Sequence, residues 1–134
     1  MVETKLSALE AAVLTKLVAG DHPILRVLQA QLDRSSVKSR EFTGVGFLTE
    51  IVVPADTERV EIGKHDATIM GVAAEISGLE HGAGFVLYVR NGAIDALEGF
   101  AYDEAWPAGD PRFKLAYTPA RDRDLAQLLA PGWS

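Results

Sequence analysis

The chain has 134 residues, a formal net charge of −6, 48% hydrophobic residues and no cysteine. This size and apolar content fit one domain, residues 1–134, around a single core. The lack of cysteine excludes a disulfide framework, a thiolate zinc site and a cysteine nucleophile. The acidic balance speaks against nucleic acid and against an anionic membrane, both of which attract basic surfaces. The N-terminal stretch has no apolar core of a signal peptide, and no run approaches the roughly 20 apolar residues of a membrane span. A cytoplasmic protein is expected.

The first third reads as helical. Ser7-Ala8-Leu9-Glu10 fits a capping box, and Leu6, Leu9, Val13 and Leu17 recur at helical spacing, with Gly20 as the stop. Asp21 reads as the N-cap of a second helix, whose apolar stripe is Ile24, Leu25, Leu28 and Leu32. Asp33 to Glu41 is polar and reads as the link to a sheet. Phe42–Val53, Arg59–Ile62, Ala67–Ser77, Gly84–Arg90, Ala93–Tyr102 and Phe113–Tyr117 read as strands. Thr118-Pro119 opens a C-terminal helix with Leu125, Leu128 and Leu129 on its apolar face. The expected fold class is therefore α+β: an N-terminal helical pair, a mostly antiparallel sheet of five or six strands, and a C-terminal helix.

Asn91-Gly92 is the dipeptide that a two-residue type I′ turn prefers. Alternation from that turn pairs Tyr88 with Asp95, Val86 with Leu97 and Phe85 with Glu98. Glu98 then shares a face with Phe85, Leu87, Val89, Ile94 and Phe100. A carboxylate there is partnered, with Arg40 the better candidate and Arg90 the other, or escapes at the sheet edge, or is a tuned acid or recognition group in a pocket. The opposite face is small, with Gly44, Gly46, Gly71, Ala73, Gly84, Ala93, Gly99 and Ala101. It reads as the seat of a helix, a shallow groove or a subunit interface.

Between Arg90 and Arg112 there is no Lys or Arg, while Asp95, Glu98, Asp103, Glu104 and Asp110 alternate with Phe100, Tyr102 and Trp106. Acids beside large rings suit a protein interface. The competing reading is a solvated loop with Trp106 and Pro107 tucked under the sheet. The candidate binding residues are Glu98, Tyr102, Asp103, Glu104, Trp106 and Arg40. No nucleophile elbow, Walker loop or dinucleotide fingerprint is present. His22, His65 and His81 lack the spacing of a metal pair. Asp103 and Glu104 with Glu98 make a weak cation site, and no metal or cofactor is called for.

Phe42-Thr43-Gly44-Val45-Gly46-Phe47, Gly82-Ala83-Gly84-Phe85, and Leu97-Glu98-Gly99-Phe100 with Tyr102, Glu104 and Trp106-Pro107 together resemble a group of small bacterial proteins. The resemblance covers roughly residues 40–107. It implies a shared design around Glu98–Pro107, but it brings no activity and no catalytic residue. The reading that follows is a non-enzymatic protein that binds another protein through an acidic aromatic surface, with homodimers expected. The alternatives are a small-molecule enzyme or sensor with Glu98 in a pocket, and a structural homo-oligomer.

Overall fold

The computed structural model describes residues 5–60, 66–107 and 111–117. Helices α1 (Ala8–Leu17) and α2 (Pro23–Asp33) precede strands β1 (Ser36–Phe42), β2 (Gly46–Val52), β3 (Asp66–Ile69), β4 (Val72–Ile76), β5 (Ala83–Arg90), β6 (Ala93–Ala101) and β7 (Phe113–Tyr117). The α+β class holds. Among the described residues the sheet has seven antiparallel strands in the order β1-β2-β6-β5-β4-β7, with β3 also paired to β5, rather than five or six. The single strand expected over Ala67–Ser77 is broken at Met70-Gly71, where Gly71 adopts φ 111°. As a result β3 and β4 lie end to end along the same edge of β5. The expected C-terminal helix lies outside the described residues.

The capping box forms as expected: the Glu10 amide donates to Ser7 Oγ at 3.1 Å, and the Ser7 amide donates to Glu10 Oε1 at 2.8 Å. The cap of α2 is His22, not Asp21. Pro23 at the first helical position presets a helical φ, so the extended cap residue must be the one just before it. His22 Nδ1 accepts from the Ile24 amide, and Asp21 instead pairs with Arg26 at 3.3 Å. Leu14, Leu17 and Leu28 are fully buried, and each such side chain stabilises the fold by about 1.5–3 kcal/mol.

The polar stretch expected to link helices and sheet is mostly an edge strand. β1 pairs with β2 from Ser36↔Val52 to Phe42↔Phe47, with a bulge between Val37 and Ser39. An edge strand meets water on most of its surface, so it needs few apolar residues, and charges and a bulge protect it from pairing with another chain. Only Val37 of β1 is buried. Arg59 and Val60 are not strand, and the rest of the expected Arg59–Ile62 strand lies outside the described residues.

Asn91 and Gly92 have φ 53° and 77°, which confirms the tight turn. The hairpin register then departs from simple alternation. Val89 pairs with Ile94, but Tyr88 pairs with Ala96, so Asp95 is an extra bulged residue on β6. Beyond it Val86 faces Glu98 and Phe85 faces Gly99, not Leu97 and Glu98 as expected. The cause lies in the apolar spacing. Ile94 and Leu97 are three residues apart and both reach the core, at 2% and 0% exposure. A regular strand cannot place both on one side, whereas one inserted residue does so and turns every later side chain over.

Both helices lie on the side of the sheet that carries Phe47, Ile51, Phe85, Leu87, Val89, Ile94 and Leu97, and with them they form the core. Helix α1 packs over β4 and β5, and α2 over β6. Gln31 is wholly buried in α2 and fastens the helix to the hairpin turn. Its Nε2 donates to Glu58 O and Gly92 O, and its Oε1 accepts from the Ile94 amide at 2.9 Å.

Candidate functional site

The cross-strand register sorts the side of the sheet that no described helix covers, here the open side, into rows. One row runs Glu41, Leu48, Glu98, Val86. The next runs Ser39, Glu50, Ala96, Tyr88, Thr68. A third runs Gly46, Phe100, Gly84, Ala73, Ala116. The six expected site residues fall in different places on this frame, because the bulge at Asp95 and a turn at Asp103 each redirect the chain.

Glu98 is half-buried on the open side, not among the core residues. It accepts a hydrogen bond from the Tyr88 hydroxyl at 2.7 Å. That bond, then burial, then the nearby charge of Glu98 hold the Tyr88 phenol above its usual pKa. Neither Arg40 nor Arg90 is its partner in the register. Phe100 follows Glu98 on the same side and meets Tyr102 edge-on at a centroid distance of 5.6 Å. The close approach that glycine permits is used here: a Cβ on Gly84 would lie 2.7 Å from the Tyr102 hydroxyl and 2.8 Å from the Phe100 ring. Tyr102 remains 47% exposed.

Asp103 has φ 60° and is exposed. After it the segment folds back and becomes a brace. The Glu104 carboxylate accepts from the Glu80 and His81 amides, both at 2.8 Å, and these bonds hold it below the usual carboxylate range. The Trp106 amide donates to Gly44 O at 2.8 Å, and its ring meets Phe47 edge-on at 5.2 Å. Glu104 and Trp106 thus fix the turns before β5 and β2, which leaves Glu98, Tyr102 and Asp103 at the surface. The turn before β5 holds Gly78 and Gly82 at φ 99° and 72°. Among the described residues no three His, Asp or Glu are grouped to hold a metal.

Arg40 lies on the helix-covered side. Its Nε and Nη2 donate to the two oxygens of Glu10 at 2.8 and 2.6 Å. Thr49, fully buried and paired with Arg40 across β1 and β2, donates its hydroxyl to Glu10 Oε2. Burial pushes the Glu10 pKa up, but the bonds from Arg40, Thr49 and Ser7 outweigh it and the net shift is downward. The sequence carried the signal for this residue. Glu10 sits in the helical stripe of Leu6, Val13 and Leu17, so its position as well as its capping role was legible. Thr49, Gln31 and Tyr88 had no such mark.

Beside this pair is a cleft of about 410 Å³ between the first turn of α1, the end of the β1–β2 hairpin and Trp106, lined also by Lys5, Phe42, Phe47 and Phe113. No family model, curated protein or solved structure matches the chain. Among the described residues, no helix is long and apolar enough to cross a membrane.

Proposed function

We propose that the protein is a non-enzymatic binding protein whose open sheet face docks a protein partner with a basic, partly apolar surface. The observation that carries this reading is the first row across the sheet, in which Leu48 and Val86 alternate with Glu41 and Glu98. Phe100 and Tyr102 extend the apolar part, and Glu50 adds a third carboxylate in the adjoining row. Among the described residues the helices contribute to the core on the other side only. An apolar surface interleaved with like charges fits a partner of opposite sign, which gains both buried area and charge complementarity. The acidic aromatic segment thus acts through Glu98 and Tyr102, while Glu104 and Trp106 support it.

The test is affinity capture with the wild-type chain and with a Phe100→Ala/Glu98→Lys variant, followed by reconstitution with the purified partner. The expected result is a complex that dissociates as salt rises toward about 0.5 M and that the variant does not form. Failure to obtain any salt-sensitive complex overturns the proposal. A second copy of the chain is the other occupant of this face, favoured by the part-exposed apolar Leu48 and Phe100. Light scattering distinguishes it as a dimer that the same variant converts to monomer.

A further inference from the structure

We infer that the cleft beside Arg40 is a separate small-molecule site for a flat, apolar ligand that carries a carboxylate. Its volume, about 410 Å³, falls within the roughly 300–1,000 Å³ of ligand pockets, which are typically apolar with a few placed polar groups. Among the described residues, four aromatic ones line it: Phe42, Phe47, Trp106 and Phe113. Phe42 is 67% exposed although it ends a strand beside the core. A ring left this far in water gains burial only when something fills the cleft. Phe47 and Trp106 already meet edge-on at 74°, a geometry that leaves ring surface for a further flat group.

Among the described residues that line the cleft, Lys5 and Arg40 outnumber the one acid, Glu10, in a protein of net charge −6. Glu10 accepts from Ser7, Thr49 and two nitrogens of Arg40, so its oxygens are occupied. The same bonds spend the Arg40 charge on Glu10, so among the described lining residues the uncompensated cation is Lys5. A carboxylate is therefore favoured over an amine or a neutral group. This site lies across the sheet from Glu98, and its occupancy does not depend on the open face.

The probe is 2-naphthoate, with neutral 2-naphthylmethanol as its control, read by calorimetry and by ligand-observed NMR on the full chain. The expected result is one saturable site for naphthoate, with the neutral compound at least about tenfold weaker. Phe42→Ala and Lys5→Gln change exposed side chains and preserve the fold. Phe42→Ala weakens both compounds about tenfold, whereas Lys5→Gln weakens only the carboxylate. Phe100→Ala, on the other side of the sheet, leaves naphthoate binding unchanged, so loss of the partner complex and loss of this site are read separately. Absence of saturable naphthoate binding, equal affinity for the neutral compound, or wild-type affinity in Phe42→Ala overturns the inference.

Discussion

On the helix-covered side of the sheet the Glu10 side chain is 3% exposed and accepts hydrogen bonds from Ser7, Thr49 and Arg40, whereas on the open side Glu98 is half-buried and accepts one from Tyr88. Each carboxylate stands among apolar neighbours, but only Glu10 is enclosed by them. Enclosure makes the pair with Arg40 obligatory, since removing one member leaves a mostly buried charge without its counter-charge. Glu98 keeps access to water, so its bond to Tyr88 is optional, and under the proposed function its charge is the one that meets the partner. The two sides of one strand pair thus separate an enclosed acid from one that water can reach.

The sharpest way to break this contrast is to delete Asp95. Without the bulged residue Ala96, Glu98 and Phe100 turn toward the helices and Leu97 turns out. The expected result is loss of the cooperative unfolding transition in urea. Asp95→Ala keeps the residue count and loses only an exposed contact with Arg90 at 3.8 Å, so its stability should lie within about 0.5 kcal/mol of wild type. Equal behaviour of the two variants would remove the bulge from the explanation.

Glu10→Gln comes next. It leaves the mostly buried Arg40, 18% exposed, without its counter-charge, and should cost about 3 kcal/mol by chemical denaturation. The same variant tests pH. The folded pKa of Glu10 is depressed, so the stabilisation is complete above the unfolded-state value and disappears as pH falls through the folded one. The wild-type chain should therefore lose more stability on acidification through that window than Glu10→Gln does. Parallel acid profiles would show that the pair does not carry this dependence.

Gln31→Leu should cost about 2 kcal/mol, because the Ile94 amide and the Glu58 carbonyl lose the buried side chain that satisfies them. The smallest effect is expected for Tyr88→Phe, under about 1 kcal/mol, since the lost bond to Glu98 is only partly buried. If Tyr88→Phe proved as costly as Glu10→Gln, the open face would not be open and the contrast between the two acids would fail.

The places where sequence reasoning stopped share a physical form. The helices were legible because each carries its own cap and stripe, and the Asn91-Gly92 turn because φ > 0 at both positions demands those residues. β1 was read as a link because an edge strand has little apolar content to betray it. The register beyond Asp95 was misread, although the three-residue gap between Ile94 and Leu97 already required an interruption. Of the expected site residues, Glu98 and Tyr102 share the open face, Asp103 is exposed, Glu104 and Trp106 brace turns, and Arg40 belongs to Glu10.

Local chemistry therefore determined the helices, the hairpin turn, most of the strands and the acidic character of one segment, because each depends on residues a few positions apart. Which carboxylate is buried, and which side Glu98 occupies, depends on partners 30 and 39 positions away from Glu10 and on one extra residue in a strand. Only the assembled sheet decides these, since a side chain's face follows from the sum of every bulge before it, and its partner from where the other strands and helices come to rest.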